Sequence, residues 1–347
     1  MAPRAGVHYP GTYAAMRAWF PDDDACLDYL DWLRWPAGFR CPSCGCTTCW
    51  ELSRGERRCT GCRRRASRTA GTIFQDTRTP LTVWFAAAWY LMTQKNGISA
   101  LGLKRVLGLG SYQTAWAMLH RYRTAMVRSG RERLNGDVEV DESFFGGLKP
   151  GKRGRGAAGK VLVAIAIEQR LPKGFGRARM QVIPDAASVT LREFLLANVE
   201  PGALVISDGL NAYPTACGEH YRHKPFNVRA SGLPAHVPLP GVHRVASLAK
   251  RWLLGTHQGA VEAGHAQAYF NEFCFRFNRR QSRARGMLFY RLMQLAVDAP
   301  PVTYRQLVVN SKPKRRPPIA PKGPRSQPGS LALPDAGRPW RQVASPE

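Results

Sequence analysis

Two closely spaced pairs of cysteines restrict the fold of this chain more than any other feature. Cys41-Pro-Ser-Cys44 and Cys59-Thr-Gly-Cys62 form two CxxC pairs with 14 residues between them. Each CxxC can present two thiolates from one tight turn, and two such turns give the tetrahedral four-sulfur site that zinc prefers. The spacing therefore predicts a zinc ribbon over residues 36–75, with a structural Zn²⁺ bound by Cys41, Cys44, Cys59 and Cys62.

Two further cysteines leave the choice of zinc ligands open. Cys46 and Cys49 also form a CxxC, and a set of free or redox-active thiols is the alternative to a metal site. The basic run Arg63-Arg64-Arg65 follows the last cysteine and predicts contact with phosphates. Six of the nine cysteines crowd into this short segment, and the first residues of the chain lack the apolar stretch of a secretory signal. We therefore expect a cytoplasmic, nucleoid-associated protein.

An excess of positive charge predicts a polyanionic partner. The 347 residues include 51 Lys and Arg against 24 Asp and Glu, which gives a formal net charge of +27. Double-stranded DNA is the first candidate for that partner. Hydrophobic residues make up 44% of the chain, enough for a buried core, but the longest apolar run, Val83–Met92, is too short to span about 30 Å of bilayer. The sequence therefore predicts no membrane partner.

Composition and periodicity predict a multidomain α+β or α/β protein. Nine prolines in the last 37 residues favour a disordered tail, while β-branched runs alternating with helical stretches favour an α/β domain before it. The predicted segments are an N-terminal helical segment (1–35), the zinc ribbon (36–75), a helix-turn-helix DNA-binding segment (80–130), an α/β domain (135–305) and a disordered, Pro-rich basic tail (311–347).

The helix-turn-helix prediction rests on two helical stretches joined by a glycine-containing turn. Residues 99–107 read as a short amphipathic helix, and residues 112–126 as a basic second helix of the kind that enters the major groove. Gln113 and Thr114 lie near its N-terminus, where base contacts usually arise, whereas an ordinary helical hairpin of the core is the alternative. Four residues of this helix are expected to pack inward: Ala115, Met118, Leu119 and Tyr122.

Acidic residues in the α/β domain predict a site for phosphoryl transfer. Asp137-Val-Glu-Val-Asp141 alternates as a strand, which puts Asp137, Glu139 and Asp141 on one face. Further strands at 160–168 and 179–183, a helix at 188–198 and a strand at 203–207 that delivers Asp208 predict an RNase H-like domain. In that topology, carboxylates on neighbouring strands converge to hold a divalent metal, here Mg²⁺ or Mn²⁺.

Two helical patterns follow the second acid. His243 and Lys250 lie seven residues apart, on one helical face, so that His243 could reach the metal while Lys250 contacts a DNA phosphate. A surface or helix-capping histidine is the alternative. Glu272, Arg276 and Arg279 form a second polar stripe, for which an intrahelical ladder of ion pairs is the alternative.

Over residues 20–305 the sequence resembles the bacterial insertion-sequence transposases of the ISXO-like group, which join a zinc ribbon to a DDE-type catalytic domain. The resemblance is carried by CPSCG…CTGC, GTIF, GISALGLKRVLGLGSYQTAWAMLHRYR, EVDESFFGG, GKRGRG, SDGLNAY, HRVASLAKRWLLGTHQG and FNEFCFRFNRR. It implies that Asp141 and Asp208 are the first two catalytic acids, and that the third position, usually Glu, is His243, followed by Lys250. Glu272, Arg276 and Arg279 match the Glu-Arg-Arg helix signature of some members.

By this resemblance the chain is predicted to be a DNA transposase. It would bind the terminal inverted repeats of an insertion sequence, cleave DNA with metal assistance and join the freed 3′-OH to target DNA, as a homo-oligomer in a synaptic complex. A regulator with a zinc ribbon and a helix-turn-helix but no catalysis, or a decayed transposase, is the alternative. The predicted DNA contacts are Arg63, Arg64, Arg65, Gln113, Thr114, Lys152, Arg153, Arg155, Lys250, Arg251, Arg276 and Arg279.

Overall fold

The fold is taken from a computed structural model of the chain. The structure describes residues 3–52, 56–128, 130–146, 160–170, 172, 174–226, 237–259 and 262–309. The predicted DNA contacts Lys152, Arg153 and Arg155, and the predicted tail 311–347, lie outside these residues. Among the described helices, none is long and apolar enough to cross a membrane.

The described chain contains the following helices and strands, given in chain order. The N-terminal part contains α1 (Tyr13–Trp19), α2 (Asp23–Arg34), β1 (Cys49–Glu51), β2 (Arg57–Cys59), β3 (Arg65–Ala66), α3 (Leu81–Thr93), α4 (Ala100–Val106) and α5 (Tyr112–Ala125). The rest contains β4 (Asp137–Phe145), β5 (Val161–Gln169), β6 (Phe175–Ile183), α6 (Ser188–Asn198), β7 (Leu204–Asp208), α7 (Ala212–Cys217), β8 (Arg222–Phe226), α8 (Pro240–His257), α9 (Ala266–Phe277), α10 (Arg285–Asp298) and α11 (Tyr304–Val309).

The cysteine-rich segment forms a small antiparallel sheet with the order β1-β2-β3. The third strand, β3, is two residues long and was not predicted, because a pair of residues leaves no periodicity to detect. Helix α2 holds this sheet through buried Asp31, whose Oδ2 lies 3.0 Å from Arg57 Nη2 and 2.9 Å from Arg68 Nε. The ribbon is thus fixed to α2 by ion pairs shielded from water, which resist screening better than exposed ones.

One hydrophobic core joins helices from both ends of the described chain. Met16 of α1, Leu30 of α2, Phe85 of α3 and Leu119 of α5 belong to the same buried cluster as Phe289 of α10. Helix α10 lies within the segment predicted as the α/β domain, yet it packs against α2, α3 and α5. Helical periodicity identifies the apolar face of α10 but cannot say which core covers that face.

The second helix of the predicted helix-turn-helix has the expected apolar side. Ala115, Met118, Leu119 and Tyr122 are all buried, which confirms that they pack inward. Each of the two helices begins at a serine, since Ser99 Oγ accepts the Gly102 amide and Ser111 Oγ accepts the Gln113 amide. The strand-free segment 81–125 therefore contains the predicted helix–turn–helix sequence of elements.

The α/β part is built on a five-stranded mixed sheet with the order β6-β5-β4-β7-β8. Strand β5 is antiparallel to both of its neighbours, β4 and β6, whereas β7 runs parallel to β4 and β8 runs parallel to β7. Residues of α6 and α7 cover one face of the sheet, and residues of α8 and α9 cover the other. The mixed α/β fold class is thereby confirmed.

Two strands of this sheet differ from the sequence prediction. Strand β6 begins at Phe175 instead of Arg179, because Phe175 pairs with Gln169 across a bulge in β5. Strand β8 was not predicted: its sequence, Arg-His-Lys-Pro-Phe, has no β-branched residue and contains a proline. It lies at the edge of the sheet, where a proline is tolerated because one side of the strand needs no partner.

Candidate active site and metal centre

The four predicted zinc ligands converge in the ribbon. Among the described residues, Cys41, Cys44, Cys59 and Cys62 form a group whose Sγ atoms all lie within 4.8 Å of one another. The Cys41–Cys62 and Cys44–Cys59 sulfur pairs are 3.7 and 3.5 Å apart. Tetrahedral zinc with Zn–S bonds of about 2.3 Å requires sulfurs about 3.8 Å apart, so the four thiols fit a structural Zn²⁺.

The two turns that carry these cysteines have the same backbone geometry. The Gly45 amide donates to the Cys41 carbonyl at 2.9 Å, and the Arg63 amide donates to the Cys59 carbonyl at 3.0 Å. Gly45 has φ = +75° and Arg63 has φ = +60°, so both occupy the left-handed region that closes such a turn. Glycine adopts this conformation freely, whereas arginine at the equivalent position is strained.

The structure separates Cys46 and Cys49 from this group. Cys46 Sγ instead lies 3.4 Å from the hydroxyls of Thr48 and Thr60. A hydrogen bond from the Ser43 backbone lowers the pKa of Cys41 to about 6, which favours the thiolate that zinc binds. Next to this centre, the side chains of Arg63, Arg64 and Arg65 are exposed.

Strand β4 faces helix α8 along a line of alternate residues. Glu139 reaches the first turn of α8, Asp141 Oδ2 lies 4.0 Å from His243 Nε2, and Ser143 Oγ accepts a 2.8 Å hydrogen bond from Lys250 Nζ. This alternation follows from the pleat of the strand, which points every second side chain to the same face. The sequence-predicted pair of Asp141 and His243 is therefore brought together.

Asp208 ends the strand next to Asp141. The parallel pairing of β4 with β7 includes Val140 opposite Ser207, which places Asp141 and Asp208 one residue further on in each strand. Asp208 Oδ1 accepts the Leu210 amide at 3.1 Å. Asp141 and Asp208 line the same cleft of about 730 Å³, at the end of the sheet.

Acidic residues crowd this cleft. Burial, together with the negative charges of Glu142 and Asp208, raises the pKa of Asp141 to about 7, although the Glu142 amide and the charge of Lys250 oppose this rise. Glu142 and Asp185 also line the cleft, and the Tyr213 hydroxyl donates to Glu142. Glu142 was not predicted as a site residue, although its position in EVDE, directly after Asp141, was a usable signal.

The donor set suits a divalent cation. Two carboxylates and an imidazole are ligands that Mn²⁺ accepts, and the carboxylates suit Mg²⁺. The negative charges of Glu142 and Asp208 raise the pKa of Asp141, and a cation bound between these carboxylates would offset their repulsion. Within the described residues, however, the donor atoms of Asp141, Asp208 and His243 do not all lie within 4.8 Å of one another, as those of the cysteine group do.

The side chains of Glu272 and Arg276, on α9, contact α5 and the end of α3. Glu272 is fully buried on α9, and its Oε2 accepts a 2.8 Å hydrogen bond from Arg123 Nε of α5, so its ion pair is not the intrahelical one considered from the sequence. Arg276 donates to the carbonyls of Leu91, Gln94 and Lys95.

Arg279, the last member of the predicted polar stripe, is also turned toward the protein. Its guanidinium donates to the Phe275 carbonyl at 3.1 Å and lies 3.8 Å from the centre of that aromatic ring. The described contacts of Arg276 and Arg279 are thus with the protein main chain and core. The predicted DNA contacts at Gln113 and Arg251 are exposed, and Thr114 is half-buried.

A ribbon with a four-cysteine metal centre, attached to a mixed α/β domain with a carboxylate-lined cleft, agrees with the comparisons with known proteins. Residues 133–278 match the family model described as ISXO2-like transposase domain, and residues 21–65 match the model described as transposase zinc-ribbon domain. The chain is also similar to an uncharacterized protein in transposable element ISH50 of Halobacterium salinarum, with 26% identity over 276 residues, covering 74% of this chain and 91% of that protein. These matches confirm the predicted resemblance: residues 21–65 and 133–278 are similar to the zinc ribbon and the transposase domain of the ISXO-like insertion-sequence group.

Proposed function

We propose that this protein is a DNA transposase that binds the terminal inverted repeats of an insertion sequence and catalyses metal-dependent DNA cleavage and strand transfer. The observation that carries the proposal is that Asp141 and Asp208 line one cleft and that Asp141 Oδ2 lies 4.0 Å from His243 Nε2. The sheet order, with three antiparallel strands followed by two parallel ones, supports the RNase H-like interpretation.

The proposed chemistry is two in-line phosphoryl transfers. In the first, a water oxygen attacks a phosphorus at the element end and the bond to the 3′ oxygen breaks, which leaves a 3′-OH and a 5′-phosphate. In the second, the oxygen of that 3′-OH attacks a phosphorus of target DNA, and a target 3′ oxygen leaves. A divalent ion, Mg²⁺ or Mn²⁺, would supply Lewis-acid activation of the phosphate and of the attacking oxygen when bound.

The residues of the chain have separate tasks in this scheme. Asp141 and Asp208 would hold the ion, with His243 as the third ligand. Lys250, held by Ser143 Oγ, keeps a positive charge beside the cleft where a DNA phosphate would lie. Burial lowers the pKa of Lys250, although the residue as a whole is exposed at the surface.

The DNA-binding surfaces are proposed from charge and exposure. Exposed Arg63, Arg64 and Arg65 of the ribbon would contact phosphates, and Gln113 at the start of α5 would contact bases. We also propose that at least two copies of the chain, brought together with the two element ends, form a homo-oligomer that acts at the nucleoid.

End cleavage by the purified protein is the direct test. Duplexes carrying the flanking terminal repeats are incubated with the zinc-loaded protein and either Mg²⁺ or Mn²⁺, and the cut strands are mapped on a sequencing gel. We expect nicks at the element end that leave a 3′-OH, and none with Asp141→Asn. Repeat-specific binding with no cleavage under either metal would instead favour the regulator or the decayed transposase.

A further inference from the structure

We propose that Glu139 is a positioning residue of the candidate active site, which holds the helix of His243 in place against Asp141. The proposal rests on the proposed function, because it concerns a ligand of that site. Glu139 lies two residues before Asp141 on β4 and is completely buried. Its side chain accepts two hydrogen bonds from α8, which carries His243 and Lys250.

The first turn of α8 cannot provide its own cap. Its N-cap residue is Leu239, which has no polar side chain, and its first residue is Pro240, which has no amide hydrogen. The His243 amide donates to the Leu239 carbonyl, so two amides, those of Gly241 and Val242, need an acceptor from outside the helix.

Glu139 supplies that acceptor from the sheet. Its Oε2 accepts the Gly241 amide at 2.7 Å and the Val242 amide at 3.0 Å, while its Oε1 accepts Gln169 Nε2 at 2.7 Å. A carboxylate at this end of a helix is also favoured by the helix dipole. A buried charge that receives three hydrogen bonds fixes the start of α8 relative to β4 and β5.

The contact is close enough to require glycine. A Cβ atom on Gly241 would lie 2.6 Å from Phe175 Cε1 and 2.9 Å from Glu139 Oε2, inside the distance that real Cβ contacts reach. A side chain at this position would therefore push α8 away from the sheet. His243 lies two residues further on, so such a shift would change the 4.0 Å separation between its Nε2 and Asp141 Oδ2.

The test measures Mn²⁺ affinity and amide exchange in Glu139→Ala, Gly241→Ala and the milder Glu139→Gln. Mn²⁺ binding is followed by electron paramagnetic resonance, and exchange of the 240–250 peptide by mass spectrometry in metal-free buffer. We expect faster exchange at the start of α8 and about 10-fold weaker Mn²⁺ binding in Glu139→Ala and Gly241→Ala, the size of effect usual for groups that orient a ligand. Glu139→Gln keeps an oxygen that can accept the two amides, so we expect it to recover most of the Mn²⁺ affinity.

Two controls separate positioning from general loss of stability. Glu168→Gln removes a carboxylate of the adjacent strand that is bonded to Arg177 and does not face α8, so we expect a loss of stability with unchanged Mn²⁺ affinity. In a His243→Ala background, Gly241→Ala should weaken Mn²⁺ binding no further, because it acts through the imidazole.

The outcomes distinguish the two proposals. Mn²⁺ binding within twofold of the wild type in both Glu139→Ala and Gly241→Ala, with wild-type cleavage intact, would overturn the positioning role and leave the proposed function standing. A wild-type protein that neither binds Mn²⁺ nor cleaves repeat DNA would overturn the proposed function and, with it, the positioning role.

Discussion

The two candidate metal sites of this protein differ in how the chain builds them. The four cysteines lie within 22 residues and are presented by two turns of equivalent geometry, so these turns and the pairing of neighbouring strands β1 and β2 bring the sulfurs together within one short segment. Asp141, Asp208 and His243 come from two strands and a helix, and their approach depends on sheet pairing and on the docking of α8. A site formed by one short segment can be predicted from the sequence. A site formed by distant segments depends in addition on residues that contact neither the metal nor the substrate.

The largest expected effect concerns the local site. Cys59→Ser should lose the whole equivalent of zinc that co-purifies with the wild type, and should weaken DNA binding. Structural zinc contributes on the order of 10 kcal/mol to the folding of such modules, so the ribbon should unfold. Zinc content by atomic absorption is the measurement. Cys46→Ser is the matched control, because the Cys46 sulfur lies outside the four-cysteine group. If Cys46→Ser loses zinc and Cys59→Ser does not, Cys46 replaces Cys59 as a zinc ligand.

Substitutions of the carboxylates at the candidate active site should reduce cleavage without affecting the zinc ribbon. Asp141→Asn and Asp208→Asn remove a negative charge from the cleft but keep the side-chain shape, so we expect cleavage to fall by about 10³-fold or more. Zinc content and repeat affinity should stay at wild-type values, because the binding elements lie in other segments. Gel-shift and cleavage assays on the same preparations check both statements; a joint loss of binding and cleavage would mean that the two regions are not separable in this way.

The third ligand should show an intermediate effect. His243→Ala should reduce cleavage by about 100-fold, whereas His243→Glu should keep some cleavage and shift the preference from Mn²⁺ toward Mg²⁺, because a carboxylate is the harder ligand. Rates in titrations of each metal are the measurement. If His243→Ala cleaves like the wild type and Glu272→Gln does not, the ligand belongs to α9, and Glu272 must leave its ion pair with Arg123 to act.

Long-range packing should also make the protein sensitive to acid. Burial, together with the positive charge of Arg123, lowers the pKa of His120 to about 2 and that of His257 to about 3. Both imidazoles are therefore neutral in the folded protein and take up protons only on unfolding, so stability is present above their unfolded pKa of about 6.5 and is lost as the pH falls below it. Each histidine should remove as much as about 2 kcal/mol of unfolding free energy between pH 7 and pH 5.

Urea unfolding at the two pH values measures this loss. His120→Phe should remove about half of it, because the His120 Nε2 atom is buried without a hydrogen-bond partner among the described residues and an aromatic ring can replace it. His220→Asn, at an exposed position, should leave the loss unchanged. Equal acid sensitivity in all three proteins would show that other groups govern it.

The smallest effect tests the equivalence of the two cysteine turns. Arg63→Gly should stabilise the zinc-loaded ribbon by about 1 kcal/mol, because glycine adopts φ = +60° without strain. Gly45→Ala should destabilise it by a similar amount, since a Cβ there meets no atom within 4 Å and only the backbone is strained. The rate of zinc release to a chelator measures both. Changes of the same sign in the two variants would mean that the turns are not equivalent.

The same contrast explains how far the sequence could predict the structure. The CxxC spacing selected the four sulfurs, and alternation in EVDE placed Glu139 and Asp141 on one face of a strand. The cap that Glu139 provides could not be predicted, because neither its spacing nor its charge identifies a helix that begins about 100 residues later. Helix α10 shows the same limit, since its periodicity gave its apolar face but not the core that covers it.

The position of α10 has a consequence for synthesis of the protein. The core that α1 to α5 begin is completed by Arg285–Asp298, so it can close only after the ribosome has passed residue 298. At roughly 5–20 residues per second, that is roughly 10–35 s after α5 has been made. During this interval the nascent chain holds α4 and α5, its predicted DNA-reading helices, without the full core that packs against them.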